Sequence, residues 1–296
     1  MEELGIKPNT VTYSAAISAC GRCGQWRRAL EVFEAMKANG VAPNAYAYNS
    51  LISACEKAGK AESALQVLEE MKAAPGVEPD VYSYSSLISA FGRSAQWYGA
   101  VRIFEDMRAA GVEPTVVPYS ALITACVNGG QWARALEIYD EMTEMGVRPD
   151  FITCSALITA CEKGNGQWRR ALGIFDDMMR LGMRPTVVTY SALISACAQG
   201  GQWRVAMRVF ARMRREGVEP DTICYNALIT ACGEGQQLVK AFRVFDEMLA
   251  SGCTPTIVTY TALITACKQS GGHWQRAMEV FGDMQTAGIP PDAFTY

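Results

Sequence analysis

Eight times over, this chain repeats a unit of 35 or 36 residues that opens with a Tyr-Ser-Ala-Leu-Ile-like segment, carries a Phe-x-x-Met-like segment later, and closes with Gly, two residues and Pro. The units run 10–44, 45–80, 81–115, 116–150, 151–186, 187–221, 222–256 and 257–292, with partial units at 1–9 and 293–296. A period in this range marks a stacked solenoid: no unit closes a core alone, so each buries its apolar face against its neighbours. Length by itself would suggest roughly two ordinary globular domains. The repeat overrides that prior and predicts one continuous all-α array over 1–296.

Inside a unit the apolar spacing switches and locates two helices. The first is expected from about the Tyr to a Gly-containing turn, as in Tyr190, Ser191, Ala192, Leu193, Ile194, Ser195, Ala196 and Cys197, where small and large residues alternate as close helix stacking requires. The second is expected to begin near Gln-Trp; in the sixth unit Trp203, Ala206, Met207, Val209, Phe210 and Met213 form one amphipathic stripe. Gly217 to Pro220 then stops it, since Gly takes the left-handed conformation readily and Pro cannot continue a helix. Pro118 falls near the start of a first helix, where proline is tolerated. Extra residues at Pro75, near Asn165 and near Gly272 fall in or beside turns, which absorb them.

Several slots are constant enough to read as packing. Met36, Met71, Met107, Met142, Met178, Met213, Met248 and Met284 form one row, read as core. Cys20, Cys55, Cys126, Cys161, Cys197, Cys232 and Cys267 share another, with Phe91 in the third unit. Equivalent residues of neighbouring units stand about 10 Å apart by ordinary helix packing, too far for a disulfide, so reduced thiols and a reducing compartment are expected. Cys20 and Cys23 make a single CxxC with no second pair, and His273 is the only histidine, so packing is preferred to a metal or redox site. Trp26, Trp97, Trp132, Trp168, Trp203 and Trp274 open second helices, with Ala61 and Leu238 in the other two units; a row of aromatics can stack on bases, but the substitutes and the turn position favour packing.

Half the residues are hydrophobic, enough for a shared core, and no apolar run approaches the roughly 20 residues that span a bilayer, so no membrane partner is expected. A net charge of −3 argues against indiscriminate nucleic-acid binding and favours a protein partner. Acids such as Glu31, Glu34, Asp246 and Glu247 fall in second helices, which a hairpin array places away from its first-helix surface.

With its Tyr-Ser-Ala-Leu-Ile opening, a mid-unit alanine at Ala29, Ala64, Ala100, Ala135, Ala171, Ala206, Ala241 and Ala277, Phe-x-x-Met and closing Gly-x-x-Pro, the chain resembles the pentatricopeptide-repeat family, in its P-type form, over nearly its whole length. The tetratricopeptide repeat is the near competitor, but its period is shorter and its Trp falls in the first helix. The resemblance implies a right-handed α-solenoid superhelix of eight stacked helix-turn-helix repeats that binds single-stranded RNA at about one base per repeat.

In that family one base-reading residue follows the opening Tyr and the other follows the closing Pro. Carried over, the pairs are Ser14 with Asn44, Asn49 with Asp80, Ser85 with Thr115, Ser120 with Asp150, Ser155 with Thr186, Ser191 with Asp221, Asn226 with Thr256, and Thr261 with Asp292. The fifth unit departs by carrying Cys154 in place of the Tyr. Independently of the resemblance, both slots hold only side chains able to hydrogen-bond. For the second slot helix capping explains the polarity as well as base reading does; for the first, which lies inside a helix, capping explains less. A carboxylate accepts the imino proton of G or U, whereas an amide suits A or C. The family rule pairs Ser or Thr in the first slot with purines and Asn with pyrimidines, giving 5′-AURGRGYG-3′. The apolar row Val11, Tyr46, Tyr82, Val117, Ile152, Val188, Ile223 and Val258 matches the family's wedges between bases, although packing alone would ask for apolar residues there as often. Phosphate contacts are implied for Arg22, Lys57, Arg93 and Lys163, whose equivalents elsewhere are Asn128, Gln199, Glu234 and Gln269. The C-terminal units are therefore expected to bind less tightly and to be less salt-sensitive.

No cofactor, metal site or enzymatic activity is expected: there is no His-x-Glu with paired Cys-x-x-Cys and no acidic cluster following the repeats. The family reading is an RNA binder that stabilises, remodels or exposes organellar transcripts; the alternative is a protein-interaction scaffold using the same surface. Gly5, Pro8 and Asn9 follow the end-of-unit pattern and Tyr296 matches an opening Tyr, so a longer array is expected. No amphipathic Arg- and Ser-rich leader is recognisable, so a chloroplast or mitochondrial location is implied by the resemblance alone.

Overall fold

A computed structural model of the protein describes residues 8–164 and 167–291, and sixteen α-helices of thirteen residues each lie in them. They are α1 Thr10–Arg22, α2 Trp26–Ala38, α3 Ala45–Lys57, α4 Ala61–Ala73, α5 Val81–Arg93, α6 Trp97–Ala109, α7 Val116–Asn128, α8 Trp132–Glu144, α9 Phe151–Lys163, α10 Trp168–Arg180, α11 Val187–Gln199, α12 Trp203–Arg215, α13 Thr222–Glu234, α14 Leu238–Ala250, α15 Ile257–Gln269 and α16 Trp274–Thr286. No strand occurs among the described residues, and no described helix is long and apolar enough to cross a membrane.

The chain forms two compact bodies, Met1–Thr153 and Cys154–Tyr296. In the first, α1, α3, α5 and α7 pack one on the next, and α2, α4 and α6 each pack on their own first helix and on the following one. In the second, α11, α13 and α15 stack in the same way, with α12 and α14 behind them. Each body is thus a two-layer stack of helical hairpins, an α-solenoid arrangement.

First helices begin three residues before the Tyr, not at it as the sequence suggested. The cause is a capping residue directly after the closing Pro. Asn9 Oδ1 accepts from the Thr12 N–H at 3.0 Å, Asn44 Oδ1 from Ala47 at 2.9 Å, Asp80 Oδ1 from Ser83 at 2.9 Å, and Asp221 Oδ1 from Cys224 at 2.8 Å. Each satisfies an orphan N–H of the first turn. Thr115 makes no such bond because the third residue of its helix is Pro118, which has no N–H to give. Second helices end where the sequence places them: Gly217 has φ +74°, and the Val218 N–H donates to Met213 O at 3.1 Å.

The core lies between the layers. All eight methionines of the row are 0% exposed, which fixes them as packing residues. The Tyr of one repeat meets the Phe of the repeat before it, as in Phe33 with Tyr48 (5.0 Å between ring centroids) and Phe210 with Tyr225 (5.4 Å), an arrangement that adds to burial. First helices stack closely enough that a Cβ on Gly233 would come 2.8 Å from the Ala266 Cβ. Cys55, Cys126, Cys161, Cys197, Cys232 and Cys267 are buried, and burial pushes the Cys161 and Cys197 thiols up to about 12, far from the thiolate a metal or redox site needs. Cys23 corrects the packing reading of the CxxC: it is the exposed residue after α1, and Cys20 is half-buried. Three tryptophans pack on the next repeat: a Cβ on Gly129 would meet the Trp97 ring at 2.5 Å, and Gly200 and Gly235 underlie Trp168 and Trp203, whereas Trp274 is 69% exposed. Ion pairs join successive second helices, among them Lys37 with Glu70 (3.0 Å), Lys72 with Asp106 (3.1 Å), Arg108 with Glu141 (2.6 Å), and Arg214 with Glu247.

Candidate nucleic-acid interface

The first helices carry the candidate residues at three fixed heights. At the second position of each helix stand Val11, Tyr46, Tyr82, Val117, Ile152, Val188, Ile223 and Val258, and every one is exposed, between 54% and 74%. Apolar side chains at a packing site would be buried for about 25 cal/mol per Å². Exposure of the whole row leaves intramolecular packing without explanatory force.

The fifth position holds the candidate for the first reader. Ser14, Asn49, Ser85, Ser120 and Ser191 are buried, and Ser155, Asn226 and Thr261 are half-buried. The residue before each helix holds the second: Asn44, Asp80, Thr115, Thr186 and Thr256 are exposed, Asp150 and Asp221 half-buried. Asp292 lies outside the described residues. Three pairs are in direct contact. Asn49 Nδ2 donates to Asp80 Oδ1 at 3.2 Å, Ser120 Oγ to Asp150 Oδ1 at 3.1 Å, and Ser191 Oγ to Asp221 Oδ1 at 3.2 Å. Two pairs with Thr in the second slot differ, because the shorter hydroxyl turns toward its own helix: Thr256 Oγ1 lies 3.4 Å from Thr259 Oγ1, and Thr186 Oγ1 3.3 Å from Thr189 Oγ1. Ser14 is 3% exposed, and its buried Oγ has no hydrogen-bond partner among the described residues.

Capping and ligand contact are compatible at aspartate. Asp150 Oδ1 accepts from the Thr153 N–H (2.8 Å), from Thr153 Oγ1 (2.7 Å) and from Ser120. Asp221 Oδ1 accepts from the Cys224 N–H and from Ser191. At Asp150 and Asp221 these bonds fall on one oxygen, which leaves Oδ2 its acceptor capacity for an imino or amino donor, whereas at Asp80 the Asn49 Nδ2 also donates to Oδ2 at 3.3 Å.

A residue that sequence reasoning missed orients the first reader. Ser83 Oγ donates to Asn49 Oδ1, Thr259 Oγ1 to Asn226 Oδ1 at 2.7 Å, and Thr189 Oγ1 lies 3.4 Å from Ser155 Oγ. Each comes from the following repeat, directly before its Tyr. The signal available was a hydroxyl in that slot at Thr12, Ser83, Thr153, Thr189 and Thr259.

Neighbouring repeats enclose these groups in recesses. One, of about 400 Å³, is walled by Tyr46 and Tyr82, holds Asn49 and Asp80 between them, and is edged by Arg22 and Lys57. A second of about 400 Å³ lies between Val117 and Ile152, with Ser120 and Asp150 inside and Arg93 at its edge. Glu56 shares that second recess, 3.8 Å from the Arg93 guanidinium. Burial pushes the Glu56 carboxyl above its ordinary range, partly opposed by Arg93 and Lys57. A third recess, about 300 Å³, is lined by Val258 and Thr261 with Glu234 and Gln269 at its edge, and no cation lines it. Arg22, Lys57, Arg93 and Lys163 are all exposed at the ends of their helices. Among the described residues no group of three His, Cys, Asp or Glu could hold a metal ion.

Family models together cover residues 6–289. The pentacotripeptide-repeat region of PRORP matches residues 6–134, the pentatricopeptide repeat domain 173–235, the PPR repeat family 114–163 and 220–269, and the PPR repeat 152–183 and 258–289. The chain belongs to the pentatricopeptide-repeat family. Among solved structures of the family, that of the pentatricopeptide repeat protein PPR10 in complex with an 18-nt psaJ RNA element is similar at 26% identity and a TM-score of 0.76, over 100% of this chain and 43% of that one. PPR10 from maize, crystallised as the pentatricopeptide repeat protein, matches at 32% identity and a TM-score of 0.64, over 100% and 42%. This chain therefore spans about two fifths of the PPR10 length. The PPR domain of Arabidopsis thaliana protein-only RNase P 1, in complex with tRNA, shares the fold at 18% identity and a TM-score of 0.51, over 58% of this chain and 90% of that domain. Comparison with curated proteins returned no match.

Proposed function

We propose that the protein binds single-stranded RNA sequence-selectively, at about one base per repeat, without catalysis. The observation that carries this reading is the exposed apolar row flanking hydrogen-bonding pairs: two apolar walls and two polar side chains are the chemistry that holds and identifies one unstacked base. Sequence selectivity resides in the pairs Ser14 with Asn44, Asn49 with Asp80, Ser85 with Thr115, Ser120 with Asp150, Ser155 with Thr186, Ser191 with Asp221, Asn226 with Thr256, and Thr261 with Asp292. Arg22, Lys57, Arg93 and Lys163 attract the phosphates, and because cations concentrate toward the N-terminal repeats, salt weakens binding there most. The net charge of −3 is no obstacle, since the ion-paired acids Glu34, Glu70, Asp106, Glu141 and Glu247 belong to the second-helix layer. PPR10, with which the chain shares its fold and 26% of its residues, was crystallised on an RNA element. Acting in a chloroplast or mitochondrion, such a protein would protect, remodel or expose a transcript.

Selection from a randomised RNA pool at near-physiological salt tests the reading. Enrichment of AURGRGYG supports it. A folded, monomeric protein that enriches no motif would replace it with the protein-scaffold reading.

A further inference from the structure

Six of the eight second helices open with tryptophan, and the two that do not, α4 with Ala61 and α14 with Leu238, each border a recess on the second-helix layer. Trp97, Trp168 and Trp203 lie on the glycine that follows the next first helix, whereas Trp274 is 69% exposed. Trp203 rests on Gly235 at the end of α13, with Lys240 of α14 over the ring at 3.8 Å and Arg204 of α12 at 5.1 Å. Trp26 is flanked alike by Arg27 at 5.5 Å and Lys60 at 5.8 Å. The residues equivalent to these flanks at the α4–α6 groove are Glu62 (for Arg27 and Arg204), Gln96 (for Lys60) and Gly99 (for Lys240). All three line an open recess of about 700 Å³. Its size falls within the roughly 300–1,000 Å³ of ligand-holding pockets. Leu65, Phe91 and Trp97 supply an apolar lining, and Tyr98 stands at its side, 65% exposed.

The charge of this recess is the reverse of that beside Trp26 and Trp203. There, cations flank the ring. Here Glu62, Glu69 and Asp106 line the recess against Arg102, and Lys72 already pairs with Glu69 (3.0 Å) and Asp106 (3.1 Å). Glu62 has no partner among the described ion pairs. The α14 recess, about 440 Å³, lacks this character: Arg243 and Arg276 outnumber Asp246, and Arg276 already covers Phe242 at 4.6 Å.

We propose that the α4–α6 recess is a docking site for a partner protein that inserts an aromatic side chain, tryptophan above all, followed by a basic residue that meets Glu62. The chain itself displays the matching ligand, since Trp26 with Arg27, Trp168 with Arg169 and Trp203 with Arg204 place an aromatic and a cation in the equivalent grooves. The site lies on the second helices and is independent of the first-helix surface proposed for RNA.

The test is titration of a dye-labelled peptide carrying one Trp-Arg pair among Gly and Ser into the purified full chain, read by fluorescence anisotropy. Saturable binding is expected, reduced about tenfold or more when the peptide Trp becomes Ala. Ala61→Trp puts the ring of the sister repeats at the head of α4, one residue from Glu62, and should abolish peptide binding while retaining fold and RNA affinity. Glu62→Arg should reduce binding by about fivefold. No saturable binding by the folded wild type, or binding undiminished in Ala61→Trp, would overturn the proposal. So would a wild-type dimer that Ala61→Trp dissociates, which would make the occupant a second copy of this chain.

Discussion

Helices α5 and α6 are equally long, adjacent in one repeat and packed on each other, yet they face their surroundings in opposite ways. On α5 an apolar side chain, Tyr82, is exposed while the polar Ser83 and Ser85 are buried. On α6 the buried stripe is wholly apolar, with Ile103, Phe104 and Met107 buried, the charged Arg102, Glu105, Asp106 and Arg108 outside, and Tyr98 at the start of the helix exposed as well. An ordinary amphipathic helix places its side chains as α6 does. The exposed apolar position recurs on every first helix, and buried polar side chains accompany it in every unit but the seventh, where Asn226 is half-buried; a surface built to receive apolar faces and hydrogen-bonding edges requires this, and nucleobases have both.

The comparison can be broken most severely in the core that both layers share. Met213→Ala, at a 0% exposed position, should cost about 3 kcal/mol in urea denaturation. A neutral result there would undo the packing account. Next in size, Tyr82→Ala should lower RNA affinity about tenfold, the effect of losing one stacking surface, while stability stays within about 0.5 kcal/mol. If stability instead falls as far as for Met213, the exposed row belongs to the core. Smaller still is the change at Asp221, which separates capping from reading. Asp221→Ala should cost about 1 kcal/mol of stability, whereas Asp221→Asn keeps the cap and moves the preferred base of that repeat from G toward A. Thermal melts and RNA competition read the two effects separately.

The smallest effect is expected at Glu56, the half-buried carboxylate beside Arg93. Burial raises its pKa, so on acidification it takes up a proton above the ordinary glutamate range. Protonation removes a negative charge facing Arg93, Lys57 and, across the recess, Asp150. RNA affinity should therefore rise modestly on acidification, beginning at a higher pH than an ordinary glutamate would set, and Glu56→Gln should lose that rise. A variant with an unchanged pH profile would remove Glu56 from the interface.

The period and the Met row made the hairpins and their core readable, because buried apolar spacing is a one-dimensional signal. The helix starts were misplaced by three residues, since the pattern was anchored on Tyr48 and Tyr84 while the physical boundary is set by the caps Asn44 and Asp80. Exposure of Val188 or Ile223 was not readable at all. An apolar residue one position into a helix looks the same whether a neighbour covers it or not. Ser83 and Thr259 escaped for a related reason: their partners Asn49 and Asn226 lie 34 and 33 residues away. Glu56 was passed over because its significance comes from Arg93 of the next repeat.

The central claim, that one pair of side chains chooses one base, is tested most directly by Asn49→Ser. It converts the Asn49 and Asp80 pair into the Ser and Asp combination already present at Ser120 with Asp150 and Ser191 with Asp221. Selection from a randomised RNA pool, run in parallel on wild type and variant, should change the enriched base opposite the second repeat from U to G and leave every other position as it was. The same enriched motif from both proteins would contradict the account.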